Sequence, residues 1–497
     1  MSAAQICLVC AADTLSADLR LAAENRDRTD LLELRVDHLR AEEIASAARF
    51  PGLVDRPVIL TIRRTAEGGR FAGSERERAA LIARLGAGGF AFVDLEEDLD
   101  APGLAESLTG AGARIIRSLH DFSGVPPAFT SRVAALARGR REIPKAAVMP
   151  SGAADLCRIL ETCAALKGEK IVLGMGAFGM PTRVLAPKIG SFLSYASPVG
   201  APVAPGQVDP ATLEDVYNFR SIGPSTAVFG VMGNPVLHSR SPHIHNPGFA
   251  AVGVDAVYLP FLVDSVGDFL KAADLLGIRG LSVTVPFKQD VIPLLSKSDE
   301  VVRATGACNT MTRTGGVDPW AGTNTDVEGF LAPLRLQLGG EVPPGLGATV
   351  IGAGGAARAV VHALVSQRAR VLVLNRSAER ARELAGAFDV PFAGLDDGGY
   401  RLAAEHADLI VQTTSAGMAP HADVDPAPGL AFRAGQIVYD LVYAPEMTKL
   451  LLRARDAGCR IVRGRQMLIA QAMEQFRLFS GTEYPKALRE SLEREAD

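Results

Sequence analysis

The first 222 residues alternate between short apolar segments, rich in β-branched residues, and longer segments with the apolar spacing of amphipathic helices. The eight apolar segments lie at 6–10, 31–36, 58–63, 90–96, 114–120, 143–149, 171–176 and 191–197. Eight strands that alternate with helices over about 200 residues are typical of a parallel (β/α)8 barrel. An open, doubly wound sheet is the alternative. Either way, the pattern predicts a parallel α/β fold.

The chain has 497 residues, which is too long for a single hydrophobic core and predicts two or three domains. Its composition is 48% hydrophobic and 22% charged, so both halves can bury sizeable cores. The net charge of −4 does not favour a nucleic-acid partner. No apolar run approaches the length of a membrane span. We therefore expect small-molecule partners, and neither nucleic acid nor membrane.

Six cysteines are present, and two of them, Cys7 and Cys10, fall in the first apolar segment. Positions three apart in a strand point to opposite faces, so a shared metal is not expected, and we predict no metal site. Buried, reduced thiols fit a cytoplasmic protein. The N-terminus passes almost directly into a strand without an Arg/Ser-rich presequence, which favours a bacterial cytosol.

Polar side chains cluster where the predicted strands end. In a parallel barrel these carboxyl ends form the active site. So many charges at one rim would be costly without a ligand. The residues concerned are Glu33, Arg35, Asp37, Arg63, Asp94, Glu96, Ser118 and His120, with Arg183 in the loop after the seventh strand.

Lys145 lies inside the apolar segment 143–149. A closed barrel has no edge, so this side chain is expected to point inward. Desolvation would lower its pKa and produce a neutral amine, the nucleophile for a Schiff base with a ketone. His120 can move a proton beside that imine. A lone histidine is more often structural, but its place among carboxylates favours catalysis.

Seven motifs, in order over residues 5–222, resemble type I 3-dehydroquinate dehydratase. They are Glu33-Leu-Arg35-Val-Asp37, Thr61-Ile-Arg63 with Glu67-Gly-Gly, Asp94-Leu-Glu96, Ser118-Leu-His120, Pro144-Lys145, Met175-Gly176 with Thr182-Arg183, and Ala204-Pro-Gly-Gln207. The resemblance implies that Lys145 forms the Schiff base with the substrate ketone. His120 would remove the adjacent proton and assist loss of the hydroxyl, with Glu96 orienting the imidazole.

The same resemblance implies the substrate contacts. The substrate hydroxyls would be held by Glu33, Arg35 and Arg63, and the carboxylate by Arg183 through a bidentate fork. Gln207 would sit on a lid loop. Tyr195 stands where the family usually has phenylalanine and keeps the apolar wall. Val203 stands where serine is frequent, which removes one lid hydrogen bond.

The second half opens with a strand at 228–233 that leads to Ser239 and Ser241, just before a predicted helix. Two hydroxyls beside the backbone amides of a helix start suit a carboxylate. Helix capping is the alternative for one of them. Further on, Thr284, Lys288, Asn309 and Asp326 follow strand ends or turns. A lysine beside a carboxylate can pass the proton that a reduced carbonyl needs, although a surface ion pair is the alternative for Lys288 and Asp326.

Residues 347–375 contain a G-x-G-x-x-A turn between a strand and a helix. The glycines let the backbone approach a pyrophosphate at the helix N-terminus. The next strand ends in Asn375-Arg376-Ser377, with Arg380 after it. NAD sites place an acid at this strand end, so arginine without an acid favours the 2′-phosphate of NADP.

From 228 to about 485 the chain resembles shikimate dehydrogenase. Further motifs are Thr414-Ser-Ala-Gly-Met418, Asp440-Leu-Val-Tyr443 and Gly464-x-x-Met467 with Gln471. The resemblance implies Lys288 and Asp326 as the catalytic pair. It also implies substrate contacts from Ser239, Ser241, Thr284, Asn309, Thr325, Tyr443 and Gln471. The implied NADP contacts are Gly352, Ala353, Gly354, Gly355, Ala356, Asn375, Arg376, Ser377, Arg380, Thr414 and Gly464. Ser282 and Gln412 both stand where the family usually has asparagine.

Together the two resemblances imply a bifunctional enzyme of aromatic amino-acid biosynthesis. The expected parts are a TIM barrel at 1–222, a substrate-binding subdomain at 227–330, a Rossmann NADP-binding subdomain at 331–465, and C-terminal helices at 466–497 that pack back on the substrate subdomain. A last barrel helix is expected at 210–219 and a linker at 220–226. The alternatives are a second half that acts mainly on quinate, and an inactive metabolite-binding regulator. The oligomeric state is left open.

Overall fold

A computed structural model describes residues 4–200 and 202–494 of the chain. The structure divides into two compact units. Unit 1 comprises Met1–Gly230, Pro235–Asn246 and Asp255–Ile278, and unit 2 comprises Val231–Asn234, Pro247–Val254 and Arg279–Asp497. Each unit is described below by itself.

Eight parallel strands form the barrel of unit 1, in the spatial order β7-β6-β5-β4-β3-β2-β1-β8. A backbone hydrogen bond from Phe192 N to Lys170 O joins the segments that precede β8 and β7. The predicted barrel is therefore confirmed. The strands are β1 Gln5–Cys10, β2 Leu31–Arg35, β3 Val58–Thr61, β4 Phe92–Glu96, β5 Arg114–Asp121, β6 Glu142–Val148, β7 Ile171–Gly174 and β8 Leu193–Ala196.

Helices lie between the strands, and their apolar faces pack on the outer side of the sheet. The interior of the barrel is filled by a separate cluster of apolar side chains, which includes Ile59, Ile116 and Ile143. The helices are α1 Leu15–Glu24, α2 Ala41–Ile44, α3 Glu75–Gly86, α4 Leu104–Gly110, α5 Phe129–Ala134, α6 Ala153–Ala165, α7 Gly176–Val184 and α8 Ala186–Ile189. The helices cover the outside of the barrel and apolar side chains fill its interior, so the carboxyl ends of the strands remain available to form a pocket.

The last barrel helix differs from the prediction of one regular helix at 210–219. The structure has a short π-helix at Thr212–Val216 and a 3-10 turn at Phe219–Ser221. Asn218 between them has a φ of 50°, in the left-handed region that a continuous α-helix cannot include. The predicted linker at 220–226 contacts the barrel, because Lys188 Nζ donates to the carbonyl oxygens of Pro224, at 3.1 Å, and Thr226, at 2.9 Å.

After the linker the chain forms β9 Ala227–Gly233, α9 Ser241–Ala251, β10 Ala256–Leu262 and α10 Val266–Leu276. Within unit 1, α10 packs against the barrel helix α6. Asp264 Oδ1, from the loop before α10, accepts a hydrogen bond of 2.9 Å from the backbone amide of Ala153 at the start of α6. A side chain at the residue before it, Gly152, would displace this carboxylate, since an added Cβ would lie 2.1 Å from Asp264 Oδ2. A residue beyond the linker therefore caps a barrel helix.

Unit 2 begins with a small mixed sheet in the order β11-β13-β14-β12, followed by a parallel six-stranded sheet in the order β17-β16-β15-β18-β19-β20. The second order is that of a dinucleotide-binding fold. The strands are β11 Ile278–Val283, β12 Lys297–Ser298, β13 Thr310–Thr312, β14 Ala321–Thr323, β15 Gly347–Ile351, β16 Arg370–Asn375, β17 Phe392–Gly394, β18 Leu409–Gln412, β19 Ile437–Asp440 and β20 Arg460–Val462.

The helices of unit 2 include a long C-terminal one that packs on the small sheet. Gln475 of this helix, α17, is buried and donates to Thr310 Oγ1 at 2.9 Å. It also accepts from Ser282 Oγ at 2.7 Å, so the serine that replaces asparagine has a structural partner. The helices are α11 Glu300–Thr305, α12 Asp326–Leu338, α13 Gly355–Ser366, α14 Ala378–Phe388, α15 Asp397–Ala403, α16 Lys449–Asp456, α17 Gly464–Ser480 and α18 Lys486–Arg494.

Candidate active sites

A pocket with about 550 Å³ of empty space opens at the carboxyl ends of the barrel strands. Most of the residues predicted from the sequence line it. They are Glu33, Arg35, Arg63, His120, Lys145, Arg183, Tyr195 and Gln207, joined by Glu67, which was not predicted. Glu96, in contrast, lies outside the pocket lining. The barrel rim thus brings together a buried amine, an imidazole and several charged groups.

Lys145 on β6 points inward, as predicted, and is only 3% exposed. Its Nζ lies 2.8 Å from Asp94 Oδ2 and 3.8 Å from Glu33 Oε1. On another side, Nζ sits 4.4 Å from the centre of the Tyr195 ring. Burial disfavours the charged ammonium, whereas Asp94 stabilises it. The prediction of a neutral Lys145 amine from the sequence rested on burial alone and did not include Asp94.

Asp94 is the centre of the buried charges beneath the pocket. It pairs with Arg63 Nη2 at 2.9 Å and accepts from Ser118 Oγ at 2.5 Å. Burial by itself would raise the pKa of the Asp94 carboxyl, but the charges of Arg63 and Lys145 outweigh it and hold that pKa well below its usual range. Asp94 therefore stays ionised and anchors both cations. Its position was visible in the sequence, two residues before Glu96 on the same face of one strand.

The prediction that Glu96 orients His120 is wrong for this structure. His120 Nδ1 lies 2.9 Å from Glu67 Oε2, and Glu96 pairs with Arg63 instead. The strand register explains the difference, because Glu96 is level with Ser118, two residues before His120 on β5. His120 therefore stands above the rim, where the loop after β3 supplies Glu67. The Glu67-Gly-Gly motif was the sequence signal for this residue.

The pKa of His120 is lowered and that of Glu67 is raised. In a solvent-exposed ion pair, each charge would shift the pKa of its partner in the other direction. Burial, with the positive charges of Arg63 and Lys145, holds the pKa of the imidazole well below its ordinary value. Burial also raises the pKa of the Glu67 carboxyl, although Arg63 opposes this. A neutral imidazole at neutral pH is able to accept a proton, which is the state that a general base requires.

Arg183 on α7 is 2% exposed and forms no ion pair with any residue in 4–200 or 202–494. Its Nη2 donates to Pro205 O at 3.2 Å, and its Nε has no partner in the described chain. Burial lowers the pKa of this guanidinium to about 10. A buried cation without an anion is costly, so the pocket is suited to an anionic ligand. Arg35, in contrast, is held by Asp37 through two hydrogen bonds of 3.0 and 2.7 Å.

The loop predicted as a lid folds over α7. Gln207 Oε1 accepts from the backbone amides of Val203 and Ala204, both at 2.9 Å. Gly206 has a φ of 75°, and an added Cβ would lie 2.5 Å from Gly176 O, so only glycine fits there. Val203 contributes a backbone amide, which makes its side-chain identity unimportant for this contact.

A second charged cluster lies in unit 2. Lys288 Nζ forms a short ion pair with Asp326 Oδ2, and Asn309 Nδ2 donates to Asp326 Oδ1 at 2.7 Å. Asn309 also donates to Thr325 Oγ1 at 3.0 Å. Asp326 is 5% exposed, so the alternative of a surface ion pair does not hold. The structure therefore brings together four of the predicted residues, Lys288, Asp326, Asn309 and Thr325.

The other predicted substrate residues have local side-chain or backbone contacts. Ser239 and Ser241 belong to unit 1, where their hydroxyls are 3.2 Å apart and Ser241 begins α9. Thr284 N donates to Met232 O at 3.0 Å. Gln471 Nε2 donates to Leu468 O at 3.1 Å. Tyr443 is half-buried after β19. Their assignment to the substrate remains a prediction.

The glycine turn after β15 has the shape that a pyrophosphate requires. Gly352 has a φ of 120°, and an added Cβ would lie 2.3 Å from Thr413 Oγ1. No atom lies within 4 Å of a Cβ built at Gly354, which leaves the backbone open, and α13 begins at Gly355. Ala353 and Ala356 complete the turn without bulk. Near Gly355, Lys288 Cδ would be 3.2 Å from an added Cβ, so the lysine reaches this turn.

The residues that follow β16 are suited to bind the 2′-phosphate of NADP. Arg376 and Arg380 are exposed and form no ion pair within the described chain, while Asn375 Nδ2 donates to Ser377 O at 3.0 Å. No acid occupies this strand end. Two free guanidinium groups beside an open glycine turn therefore fit NADP.

Two further predicted cofactor residues have local roles in the structure. Thr414 N donates at 2.7 Å to Gln412 Oε1, and Gln412 also holds the carbonyl oxygens of Thr414 and Ala416, so the departure from asparagine supports the loop. Gly464 at the start of α17 allows close packing, since an added Cβ would lie 2.5 Å from Leu441 O. A role of Gly464 in NADP binding stays a prediction.

In residues 4–200 and 202–494, no three histidine, cysteine, aspartate or glutamate side chains are grouped to hold a metal ion. Over the same residues, no helix combines the length and the apolar content needed to cross a bilayer.

Comparison with known proteins assigns three successive parts of the chain to families. Residues 6–224 match the family of type I 3-dehydroquinase. Residues 231–311 match the shikimate dehydrogenase substrate binding domain, and residues 345–420 match shikimate / quinate 5-dehydrogenase. The three matches follow the same order as the motifs.

Individual relatives cover one half or nearly the whole chain. The chloroplastic bifunctional 3-dehydroquinate dehydratase/shikimate dehydrogenase of Arabidopsis thaliana is 32% identical over 481 residues, which is 92% of this chain and 79% of that protein. The shikimate dehydrogenase (NADP+) of Moorella thermoacetica is 45% identical over 284 residues, 55% of this chain and 94% of that protein. A crystal structure of shikimate dehydrogenase in complex with NADP+ has 31% identity and a TM-score of 0.50, covering 56% of this chain and 98% of that one. The chain thus belongs to the family of bifunctional 3-dehydroquinate dehydratase/shikimate dehydrogenases.

Proposed function

We propose that the two clusters carry out consecutive steps of the shikimate pathway. The barrel dehydrates 3-dehydroquinate to 3-dehydroshikimate, and the second half reduces 3-dehydroshikimate to shikimate with NADPH. One observation carries the proposal for the barrel: a buried amine, Lys145, and a buried guanidinium without an anion, Arg183, line the same pocket. These two groups match a ketone and a carboxylate on one small substrate.

In the first reaction, Lys145 attacks the substrate ketone and forms an imine, with loss of the carbonyl oxygen as water. Before the attack, the ammonium must give up its proton, and Asp94 and Glu33 are the carboxylates nearest to it. His120, held by Glu67, takes the proton on the carbon next to the imine and then protonates the departing hydroxyl, which leaves as water. Hydrolysis of the imine releases the enone and restores Lys145.

Arg183 is proposed to bind the carboxylate, and its replacement tests this. Arg183→Met is expected to raise the KM for 3-dehydroquinate about 10- to 100-fold, because a hydrogen-bonded charge pair contributes roughly 1.5–3 kcal/mol. The same change is expected to raise the melting temperature, since a buried unpaired charge becomes apolar. Steady-state kinetics and thermal unfolding measure the two effects. An unchanged KM with a lower melting temperature would show a purely structural arginine.

In the second reaction, NADPH when bound supplies a hydride to the carbonyl carbon of 3-dehydroshikimate. Lys288, paired with Asp326, donates the proton that the carbonyl oxygen acquires. Asn309, which also donates to Thr325, holds the orientation of Asp326 through its hydrogen bond to Oδ1. The remaining proposed contacts are Ser239 and Ser241 to the carboxylate, and Thr284, Asn309, Gln471 and Tyr443 around the ring.

The two exposed arginines after β16 are proposed to bind the 2′-phosphate. Replacing Arg376 or Arg380 with alanine is expected to raise the KM for NADPH about tenfold, since each removes one charge-assisted contact. The KM for NADH, which lacks this phosphate, is expected to change little. Arg382→Ala on the same helix is the matched control, because Arg382 lies over the Phe392 ring instead. An equal loss for NADH and NADPH would contradict the assignment.

A coupled assay tests both reactions together. The purified chain, given only 3-dehydroquinate and NADPH, is expected to consume NADPH and to produce shikimate. NADPH loss is followed by its absorbance, and 3-dehydroshikimate is supplied separately to test the second half. Consumption with 3-dehydroshikimate but not with 3-dehydroquinate would refute the assignment of the barrel.

We also propose a cytoplasmic enzyme that acts on small molecules and binds no nucleic acid. All six cysteines are free thiols, which fits a reducing compartment. The division at 1–222, 227–330, 331–465 and 466–497 is likewise a proposal, supported by the order of the three family matches.

A further inference from the structure

Arg78 is one of the largest fully buried side chains, although it belongs to a helix outside the barrel. It lies on α3, in the segment Glu75-Arg76-Glu77-Arg78, and is 1% exposed. A charged residue on such a helix ordinarily points to solvent, because a buried charge is costly unless it is paired. This arginine does not line the dehydratase pocket. Its burial therefore needs another explanation.

The guanidinium of Arg78 reaches the rim of the barrel and pairs there with Glu96. Nη1 forms a short ion pair with Glu96 Oε2 and also donates to Ile62 O at 3.2 Å. Nη2 pairs with Glu75 Oε2 at 2.5 Å. The other oxygen of Glu96, Oε1, accepts from Arg63 Nη1 at 3.0 Å. One carboxylate is thus shared by two arginines, one on each oxygen.

The contacts continue from Arg63 to the reacting amine. While Nη1 of Arg63 holds Glu96, Nη2 holds Asp94 at 2.9 Å, and Asp94 holds Lys145 at 2.8 Å. The side chains of this series are no more than 5% exposed. Charges alternate along it, so each group fixes the orientation of the next. Arg78 is the first member, and it lies farthest from the pocket.

We propose that Arg78 is a positioning residue for the dehydratase reaction, acting through Glu96 and Arg63 on Asp94 and Lys145. Without it, Glu96 would share its charge with Arg63 alone, apart from Arg64 Nε at 3.8 Å. Arg63 would then shift toward Glu96 and loosen its hold on Asp94. The amine of Lys145 would lose its fixed direction toward the ketone. This inference rests on the proposed imine chemistry of Lys145.

The test compares Arg78→Met with Arg78→Lys. For Arg78→Met, the kcat of dehydration is expected to fall about 10- to 100-fold, since a misplacement of about 1 Å in a reacting group can cost a hundredfold. The KM for 3-dehydroquinate is expected to stay within about twofold, because Arg78 is not in contact with the pocket. Arg78→Lys keeps the charge and is expected to recover part of kcat. The rate of imine trapping by borohydride should fall in parallel with kcat.

A structural role alone would give a different result, and Arg117 provides the matched control. Arg117 is also buried and pairs with Glu142 at 2.9 Å, but it has no ion pair with the Lys145 series in the described residues. Arg117→Met is expected to lower the melting temperature and leave kcat unchanged. A cooperative thermal unfolding transition, measured in each variant, reports whether the barrel is folded.

The failure of the proposed imine chemistry and the failure of the positioning role of Arg78 give different results. If the wild-type chain traps no imine, the proposed function of the barrel fails. If the wild type traps an imine and Arg78→Met keeps the same kcat and trapping rate, the positioning role fails. Should Arg78→Met not fold, Glu96→Gln takes its place, since it removes the charge that Arg78 and Arg63 share while keeping the side-chain shape. An unchanged kcat in Glu96→Gln would equally overturn the inference.

Discussion

Replacing Lys145 with alanine is expected to reduce the dehydration of 3-dehydroquinate by at least about 10⁴-fold, because the proposed imine cannot form. The pocket would keep His120, Glu67 and Arg183, so the substrate should still bind. The rate is measured directly by the absorbance of the enone product, or through NADPH consumption in the coupled assay. In the wild-type chain, borohydride with substrate should add the mass of the reduced adduct to Lys145.

Charge and nucleophilicity at this position are separated by a second variant. Lys145→Arg keeps a cation beside Asp94 but supplies no amine for an imine, and it is expected to be as inactive as the alanine variant. Reduction of 3-dehydroshikimate should stay within about twofold of wild type in both, since Lys145 is not among the residues proposed for that reaction. A Lys145→Arg enzyme with near wild-type dehydration would show that only the charge is needed, and would refute the covalent route.

Replacing Lys288 with methionine is expected to lower the kcat for reduction of 3-dehydroshikimate by roughly 10²- to 10⁴-fold, the range for loss of a general acid. Asp326 and Asn309 would keep their hydrogen bond, which preserves the local shape. The measurement is steady-state kinetics with NADPH. Dehydration of 3-dehydroquinate, followed by enone absorbance, is expected to be unaffected.

The control for this change is Lys297→Met, since Lys297 is exposed on β12. It is expected to leave both reactions unchanged. If Lys288→Met raised KM and left kcat intact, Lys288 would bind substrate without transferring a proton. Comparing kcat/KM for shikimate and quinate with NADP in the wild-type chain would also settle the substrate preference, and a strong preference for quinate would contradict the proposed reaction.

The barrel was predictable because its strands are short, apolar and evenly separated, and all eight are present where the sequence placed them. The inward direction of Lys145 followed from the closed sheet. The last barrel helix was less predictable, since one left-handed residue, Asn218, divides it. Helical spacing alone does not reveal such a break.

The candidate site was predicted in its residues but not in all of its pairs. His120 was recognised, but the family resemblance implied Glu96 as its partner. The partner of His120 depends on the register of the two strands, which sets Glu96 level with Ser118. The loop residue Glu67 therefore lies nearer to the imidazole than Glu96 does. In the same way, the anion beside Lys145 and the buried arginine of α3 depend on packing, which periodicity does not contain.

The cap that Asp264 provides for α6 has an evolutionary consequence. A barrel that exists as a separate enzyme has only its own residues and water to satisfy the first amides of each helix, and here Gly152 has no side chain with which to do so. The acceptor comes from the sequence after the linker. Gene fission between the two activities would therefore leave this barrel helix uncapped, so the fusion is easier for evolution to keep than to reverse.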